Sequence, residues 1–244
     1  MAEQSSHHIM EPNPVRPLEA LRAMRTLIND PEDTSQVFRV IRALSGRSFE
    51  RLFARAMADP VGRRILDERR SLLPVLSDRE RLRSLPEGTL GREYARFMDA
   101  ERITADGLEE ASAFDKVDFY DDRARCLSDR LRDMHDLWHV VSGYGRDLLG
   151  EEALLAFTYA QIRNRGVGFI VLVGCLKISS EGHREVFGVT RQAYRRGRRA
   201  AFLAAADWEA LLELPLQDVR RQLRIDEPPR YEPLWMEDAA AAAA

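Results

Sequence analysis

Nearly every stretch of this chain repeats its apolar residues at intervals of three or four, and none alternates them convincingly with a period of two. A helix buries a stripe at the first spacing and a half-exposed strand buries every second side chain, so the pattern predicts an all-α fold. The first stripe, after Pro17, is Leu18, Leu21, Met24 and Ile28. The second is Val37, Val40, Ile41 and Leu44, where Asp33 and Gln36 resemble a capping box and Gly46 a stop. A third helix with Phe49, Leu52, Phe53, Ala56 and Met57 ends near Pro60. Residues 60–85 are Arg-rich, broken by Pro74 and Pro86, and fit short helices and turns.

Two glycines, Gly88 and Gly91, feed a helix through Phe97 and Met98, and Asp106-Gly107 marks a later turn. One long helix is predicted from Asp121 or Asp122 with a core stripe of Leu127, Leu131, Met134, Trp138 and Val141, stopping at Gly143 and Gly145. A second runs from about Glu151 through Leu154, Leu155, Tyr159 and Ile162 to an apolar run at 167–176. Further helices are expected over 184–206, over 207–214 and after Pro215, where Leu216, Val219 and Leu223 form the last stripe. At 244 residues the chain suits one compact multi-helix domain. Its expected extent is 15–229, between a disordered tail at 1–14 and a flexible one at 230–244.

Composition narrows the function classes. Against 40 acidic residues stand 37 basic ones, giving a net charge of -3, with no global reason to expect nucleic acid. Cys126 and Cys175 lie far apart and have no metal or redox spacing, so a reducing compartment fits. The apolar run at 167–176 is interrupted by Gly168 and Gly174 and is about half of the ~20 residues that a spanning helix needs. Residues 1–14 have neither an apolar signal core nor the character of a transit peptide.

The chemistry concentrates in one place. His135 and His139 are four apart on a predicted helix, so their imidazoles stack on one face and can converge on one ion. Asp136 can serve as a ligand or as the group that fixes an imidazole tautomer. Beyond the glycine break, Glu151 can bring a carboxylate back from the next helix. Two histidines with one or two carboxylates leave coordination positions open, which suits catalytic zinc or a non-haem iron-type ion. The bland alternative is a pair of hydrogen-bonded core histidines.

The run His135-Asp136-Leu137-Trp138-His139, then eleven residues, then Glu151, resembles the signature of the Coq-four family of ubiquinone biosynthesis proteins. The segment from Leu85 through Pro86, Glu87, Gly88, Thr89, Leu90, Gly91, Arg92 and Glu93 to Tyr94 is similar to another of the family's segments. So are Gly197-Arg198-Arg199-Ala200, Trp208-Glu209 and Pro215-Leu216. The resemblance implies an all-helical, metal-dependent decarboxylase of polyprenylated 4-hydroxybenzoate intermediates, a lyase that removes the C1 carboxyl with hydroxylation at that carbon. His135, Asp136, His139 and Glu151 carry over as its catalytic and metal-binding residues, with zinc the first choice of divalent ion and iron or cobalt the alternatives.

The resemblance also implies partnership with other ubiquinone-biosynthesis enzymes, and a non-catalytic, lipid-holding scaffold of their complex is the alternative function. A homodimer is left open. Without a transit peptide, the implied location is the cytoplasmic face of a bacterial inner membrane, held peripherally. A His-Asp type metallophosphohydrolase is a third reading, short of a further histidine beyond His183. An isoprenoid tail needs an apolar groove, for which Trp138, Leu155, Tyr159, Gly166 and Gly168 are candidates, with core packing as the competing explanation for each. Arg163 and Arg165 are candidates for the substrate carboxylate. Arg195, Arg196, Arg198 and Arg199 could meet anionic lipid head groups, each worth roughly 1 kcal/mol, or form a solvated helix face.

Overall fold

The computed structural model describes residues 9–30, 33–101, 118–225 and 230–235. Among these, regular structure is helical. The helices are α1 (Pro17–Asn29), α2 (Thr34–Ser45), α3 (Ser48–Ala58), α4 (Pro60–Asp67), α5 (Leu73–Ser77), α6 (Arg79–Ser84), α7 (Leu90–Ala100), α8 (Asp122–Asp133), α9 (His135–Ser142), α10 (Leu148–Ile162), α11 (Arg165–Ser180), α12 (Val186–Arg199), α13 (Trp208–Leu211) and α14 (Leu216–Gln222), with a 3-10 turn at Leu203–Ala205. The only β pairings among the described residues are two isolated bridges, Met10 with Phe119 and Thr89 with Pro215. The all-α expectation holds. The turn expected at Asp106-Gly107 lies outside the described residues.

The central element is α10, which buries residues on all sides, among them Leu149, Ala153, Leu154, Phe157 and Ala160. A helix apolar all round belongs inside the protein. Its main partner is α12, and Gly197 sets their separation: a Cβ there would stand 2.6 Å from the Phe157 carbonyl oxygen. Gly166 does the same for α11 on α2, where a Cβ would stand 2.4 Å from the Cα of Ile41. Around α10 lies the main core, with Leu90, Tyr94 and Met98 of α7, Met134, Leu137, Trp138 and Val141 at α9, and Trp208 and Val219 beyond. Full burial of each such large side chain contributes roughly 1.5–3 kcal/mol. The Gly88 and Gly91 turn is stitched to the later helices by Leu216 N to the Gly88 carbonyl at 2.8 Å and Gly91 N to the Leu212 carbonyl at 2.8 Å.

Several boundaries differ from the expectation. The helix predicted over 121–141 has a joint at Met134, whose ψ of -1° interrupts the helical repeat, so α9 starts on His135. The next long helix turns at Arg163, in left-handed conformation at φ 52°, and α11 restarts behind Asn164, whose side chain accepts from Gly166 N. The helix expected over 184–206 stops at Arg199, and Gln161 holds the following turn by accepting from Leu203 N and donating to the Gly197 carbonyl. At α2 the expected capping box is replaced by side-chain pairing, with Gln36 Nε2 donating to Asp33 Oδ2 at 2.8 Å.

The described parts of both expected tails, 9–14 and 230–235, contribute packing. Ile9 accepts from Tyr120 N at 2.9 Å, Met10 is buried, and Asn13 Nδ2 donates to the Arg42 carbonyl at 2.8 Å. At the other end Leu234 is buried, its carbonyl accepts from Leu148 N at 2.8 Å, and its own N–H is donated to Asp147 Oδ1 at 3.1 Å. Hydrogen bonding, invisible to any apolar period, brings these segments in.

Candidate metal centre

His135, Asp136 and His139 each offer a ligand atom within 4.8 Å of the others. All three come from α9, at its first, second and fifth positions, so the joint at Met134 sets the start of the cluster. From the neighbouring first turn of α10, Glu151 Oε2 comes to 3.5 Å from His139 Nε2 and 4.0 Å from His135 Nε2. The two imidazoles meet edge to face, 5.0 Å between ring centres. The structure brings Glu151 to both histidines, and Asp136 lies with them at the start of α9.

Support for this arrangement comes from backbone ends. Gly143, with φ at 76°, closes α9 in the left-handed conformation that glycine adopts without steric cost. The chain then turns so that the Tyr144 carbonyl accepts from His139 Nδ1 at 2.9 Å. Arg220 donates to the carbonyls of Val140 and Val141, and Arg196 to that of Ser142, occupying acceptors that α9 leaves at its end. Asp147 caps α10 by accepting from Leu149 N and Gly150 N, both at 3.1 Å. Such a cap is worth about 1 kcal/mol and starts the helix three residues before Glu151.

The charges are coupled. Burial lowers the His135 pKa, and His139 lowers it further against the pull of Glu151 and Asp136. Burial also works against protonation of His139, but Glu151 and the Tyr144 carbonyl outweigh it and raise the pKa. For Glu151, burial favours the neutral acid, yet His139, His135 and Arg146 together hold it below the ordinary carboxylate range. Glu151 is thus an anion at neutral pH, and its charge faces the two imidazoles.

His139 Nε2 is buried and makes no hydrogen bond. A basic nitrogen kept from water with only a long contact to Glu151 Oε2, at 3.5 Å, is costly, and a cation is what this donor set would take. Two imidazoles and carboxylate oxygens fit zinc, and equally fit iron or cobalt.

Three contributors were not singled out in the sequence. Phe97 of α7 stacks on the His139 ring, 5.5 Å between centres at 23°. Arg146 approaches Glu151 Oε1 at 3.4 Å with its side chain still 36% exposed. Tyr144 lends its backbone carbonyl, a role announced only by the glycines on either side of it. The candidates for the tail are mostly committed elsewhere: Trp138 is buried against Phe157, Gly166 against Ile41, and Gly168 sits over the Tyr159 ring. Leu155 lies one turn from Glu151, half-buried in the cluster that joins α1, α2 and α11. Arg163 and Arg165 are exposed beyond the far end of α10, roughly 18 Å from Glu151 at the helical rise, and do not join the cluster. Arg196 is buried rather than part of a basic surface, its guanidinium 5.1 Å from the Tyr144 ring centre. His183 pairs with Glu185 at 3.2 Å instead of supplying a further ligand.

Residues 10–229 match the family model described as coenzyme Q (ubiquinone) biosynthesis protein Coq4. The chain belongs to the Coq4 family. Among curated Coq4 proteins it is 30% identical over 174 residues to the mitochondrial homologue of Mus musculus, covering 71% of this chain and 64% of that one. With the mitochondrial protein of the yeast Scheffersomyces stipitis it shares 28% identity over 180 residues, 73% of this chain and 55% of that one. The matched region is therefore less than two thirds of either relative. A crystal structure from Nostoc punctiforme, titled as a candidate ubiquinone biosynthesis protein, superposes with a TM-score of 0.68 at 25% identity, covering 86% of this chain and 98% of that one. The Coq4 family is one of ubiquinone biosynthesis, and among the described residues no helix is long and apolar enough to cross a membrane.

Proposed function

We propose that this Coq4 chain removes the C1 carboxyl of polyprenylated 4-hydroxybenzoate intermediates, with hydroxylation at that carbon, using a divalent metal ion held by His135, His139, Glu151 and Asp136. The observation that supports the reading is the convergence of both imidazole Nε2 atoms on Glu151 Oε2, at 3.5 and 4.0 Å, with the buried Nε2 of His139 making no hydrogen bond. A bound ion would supply Lewis acidity for the charge that builds on the substrate's carboxylate or phenolate oxygen as the carbon–carbon bond breaks. The protein's own groups do the rest. Arg146, exposed at one edge of the cluster and tied to Glu151 at the other, is the cation best situated to meet the incoming carboxylate. Phe97 shields the His139 ring from water and so strengthens the electrostatics around it.

One molecule of dioxygen balances the change. The carboxyl departs as carbon dioxide, one oxygen atom enters at C1, the ring reaches the quinone level, and the second oxygen atom leaves as water. Metal-loaded protein is incubated with a prenylated 4-hydroxybenzoate in the presence and absence of oxygen, and the product mass is followed. Loss of the carboxyl that requires oxygen and disappears in His139→Ala supports the reading; an unchanged substrate with zinc, iron and cobalt alike rejects it.

A second reading, a lipid-associated scaffold for the other ubiquinone-biosynthesis enzymes, draws on the surface. Leu172 and Leu176 of α11 are 57% and 56% exposed, Phe187 of α12 is 47% exposed, and Arg191, Arg195 and Arg198 are exposed on α12. Apolar side chains beside guanidinium groups suit an anionic membrane surface. A scaffold role alone predicts that Glu151→Ala leaves ubiquinone production intact in cells; production that stops while complexes still assemble excludes it.

A further inference from the structure

We infer that Tyr231 is a positioning residue for the metal centre, locking the joint between the two helices that carry the ligands. The inference rests on the metal reading above and names what holds that site in register. The Tyr231 hydroxyl donates to Asp147 Oδ2 at 2.7 Å and accepts from Gly145 N at 3.0 Å. Gly145 follows the carbonyl that holds His139 Nδ1 and precedes Arg146, which pairs with Glu151. Asp147 uses its other oxygen to cap the helix on which Glu151 rides, within one turn of it. A single hydroxyl thus ties the loop that orients one ligand to the cap that orients another.

The fit around this hydroxyl is close. A Cβ on Gly150 would stand 2.5 Å from the Tyr231 hydroxyl and 2.3 Å from the Gly145 carbonyl, so only glycine lets the loop, the cap and the phenol meet. The Tyr231 ring also lies against that of Tyr144, 6.2 Å between centres. Its pKa is raised far above the ordinary phenol range by burial and by Asp147, which keeps the proton on the oxygen for donation. Leu234 anchors the same segment through Asp147 and Leu148 and is independent of the phenol. Removing the hydroxyl alone should therefore loosen the joint without detaching the segment. Once the loop relaxes, the Tyr144 carbonyl no longer fixes the proton on Nδ1, and Nε2 ceases to be held bare for a metal.

The test uses Tyr231→Phe in the full chain, with two readouts. In metal-free protein, at a pH where the imidazole is neutral, 15N NMR should show His139 as the single Nδ1-protonated tautomer in the wild type and as a mixture in the variant. Zinc affinity, measured against a competing chelator, should fall about 10-fold or more, with thermal unfolding little changed. Asp147→Asn keeps an oxygen for the helix cap and replaces the acceptor facing Tyr231, and it should give the same two effects even if Tyr231→Phe folds poorly. An unchanged tautomer with unchanged affinity overturns the inference. If the wild type takes up no zinc, cobalt or iron, the metal reading falls, and the tautomer decides the positioning role on its own.

Discussion

His139 donates its Nδ1 proton to the carbonyl oxygen of Tyr144, five residues on, at 2.9 Å. A carbonyl only accepts, so the bond commits the neutral ring to one tautomer and directs the basic nitrogen at Glu151.

Metal uptake should therefore stabilise the fold. Saturation at about 100 times the dissociation constant adds about 2.7 kcal/mol, read as a rise in the unfolding midpoint with added zinc or cobalt. His139→Ala should abolish that rise while keeping the apo midpoint within a few degrees. An equal rise in the variant would locate the metal elsewhere.

Binding should release protons. The His139 pKa is raised, so in the apo site a proton competes for Nε2 beginning above the ordinary histidine value of about 6.5. Affinity should fall as pH drops through that region and level off above it. Calorimetry in buffers of different ionisation heat checks the release, and an affinity unchanged as pH falls through the titration of His139 contradicts it.

Helix spacing predicts a contrast within α12. Gly197→Ala drives a Cβ toward the Phe157 backbone and should cost about 1–3 kcal/mol or more. Gly188→Ala meets nothing within 4 Å and should be neutral or stabilising by up to about 1 kcal/mol. Urea unfolding of both variants measures the difference, and equal midpoints would show that the two helices separate at no cost.

Acid should act through the pair of Arg130 and Glu209. The Arg130 side chain is 2% exposed and donates to both Glu209 oxygens, at 2.7 and 2.9 Å. Burial works to raise the Glu209 pKa, but Arg130 and Arg70 outweigh it and hold it low; hydrogen bonding by Arg70 lowers that of Asp207. Folded values below the unfolded ones mean stability that is complete above about pH 5 and lost as pH falls through the folded values. Glu209→Gln leaves Arg130 buried without its counter-charge and should cost about 3–5 kcal/mol at pH 7. The gap from wild type should narrow at about pH 3, as unfolding curves at the two pH values will show.

Much of the fold was legible because core contacts repeat with the helical period, as in Leu127, Leu131, Met134, Trp138 and Val141. The joints at Met134 and Ala200 were not, since neither has a glycine or proline beside it to mark a break, and Arg163 adopts a left-handed turn that any flanking sequence leaves unannounced. At the site, the spacing of His135 and His139 reveals two ligands on one face. The glycine break lets Glu151 return from the next helix, but only the family pattern makes it a ligand, because its approach depends on how a loop folds back. Tyr144 acts through a carbonyl that every residue possesses, and Phe97 and Tyr231 reach the centre across long stretches of chain that no local period connects.

The bond between Tyr231 and Asp147 spans 84 residues of chain. At roughly 5–20 residues per second, the ribosome delivers Tyr231 about 4–17 s after Asp147. Throughout that interval the nascent chain presents both histidines and Glu151 without the hydroxyl that ties their helices together. On the proposed metal reading, the order of synthesis makes completion of the centre later than delivery of its ligands, and leaves an interval in which those ligands could meet a wrong ion.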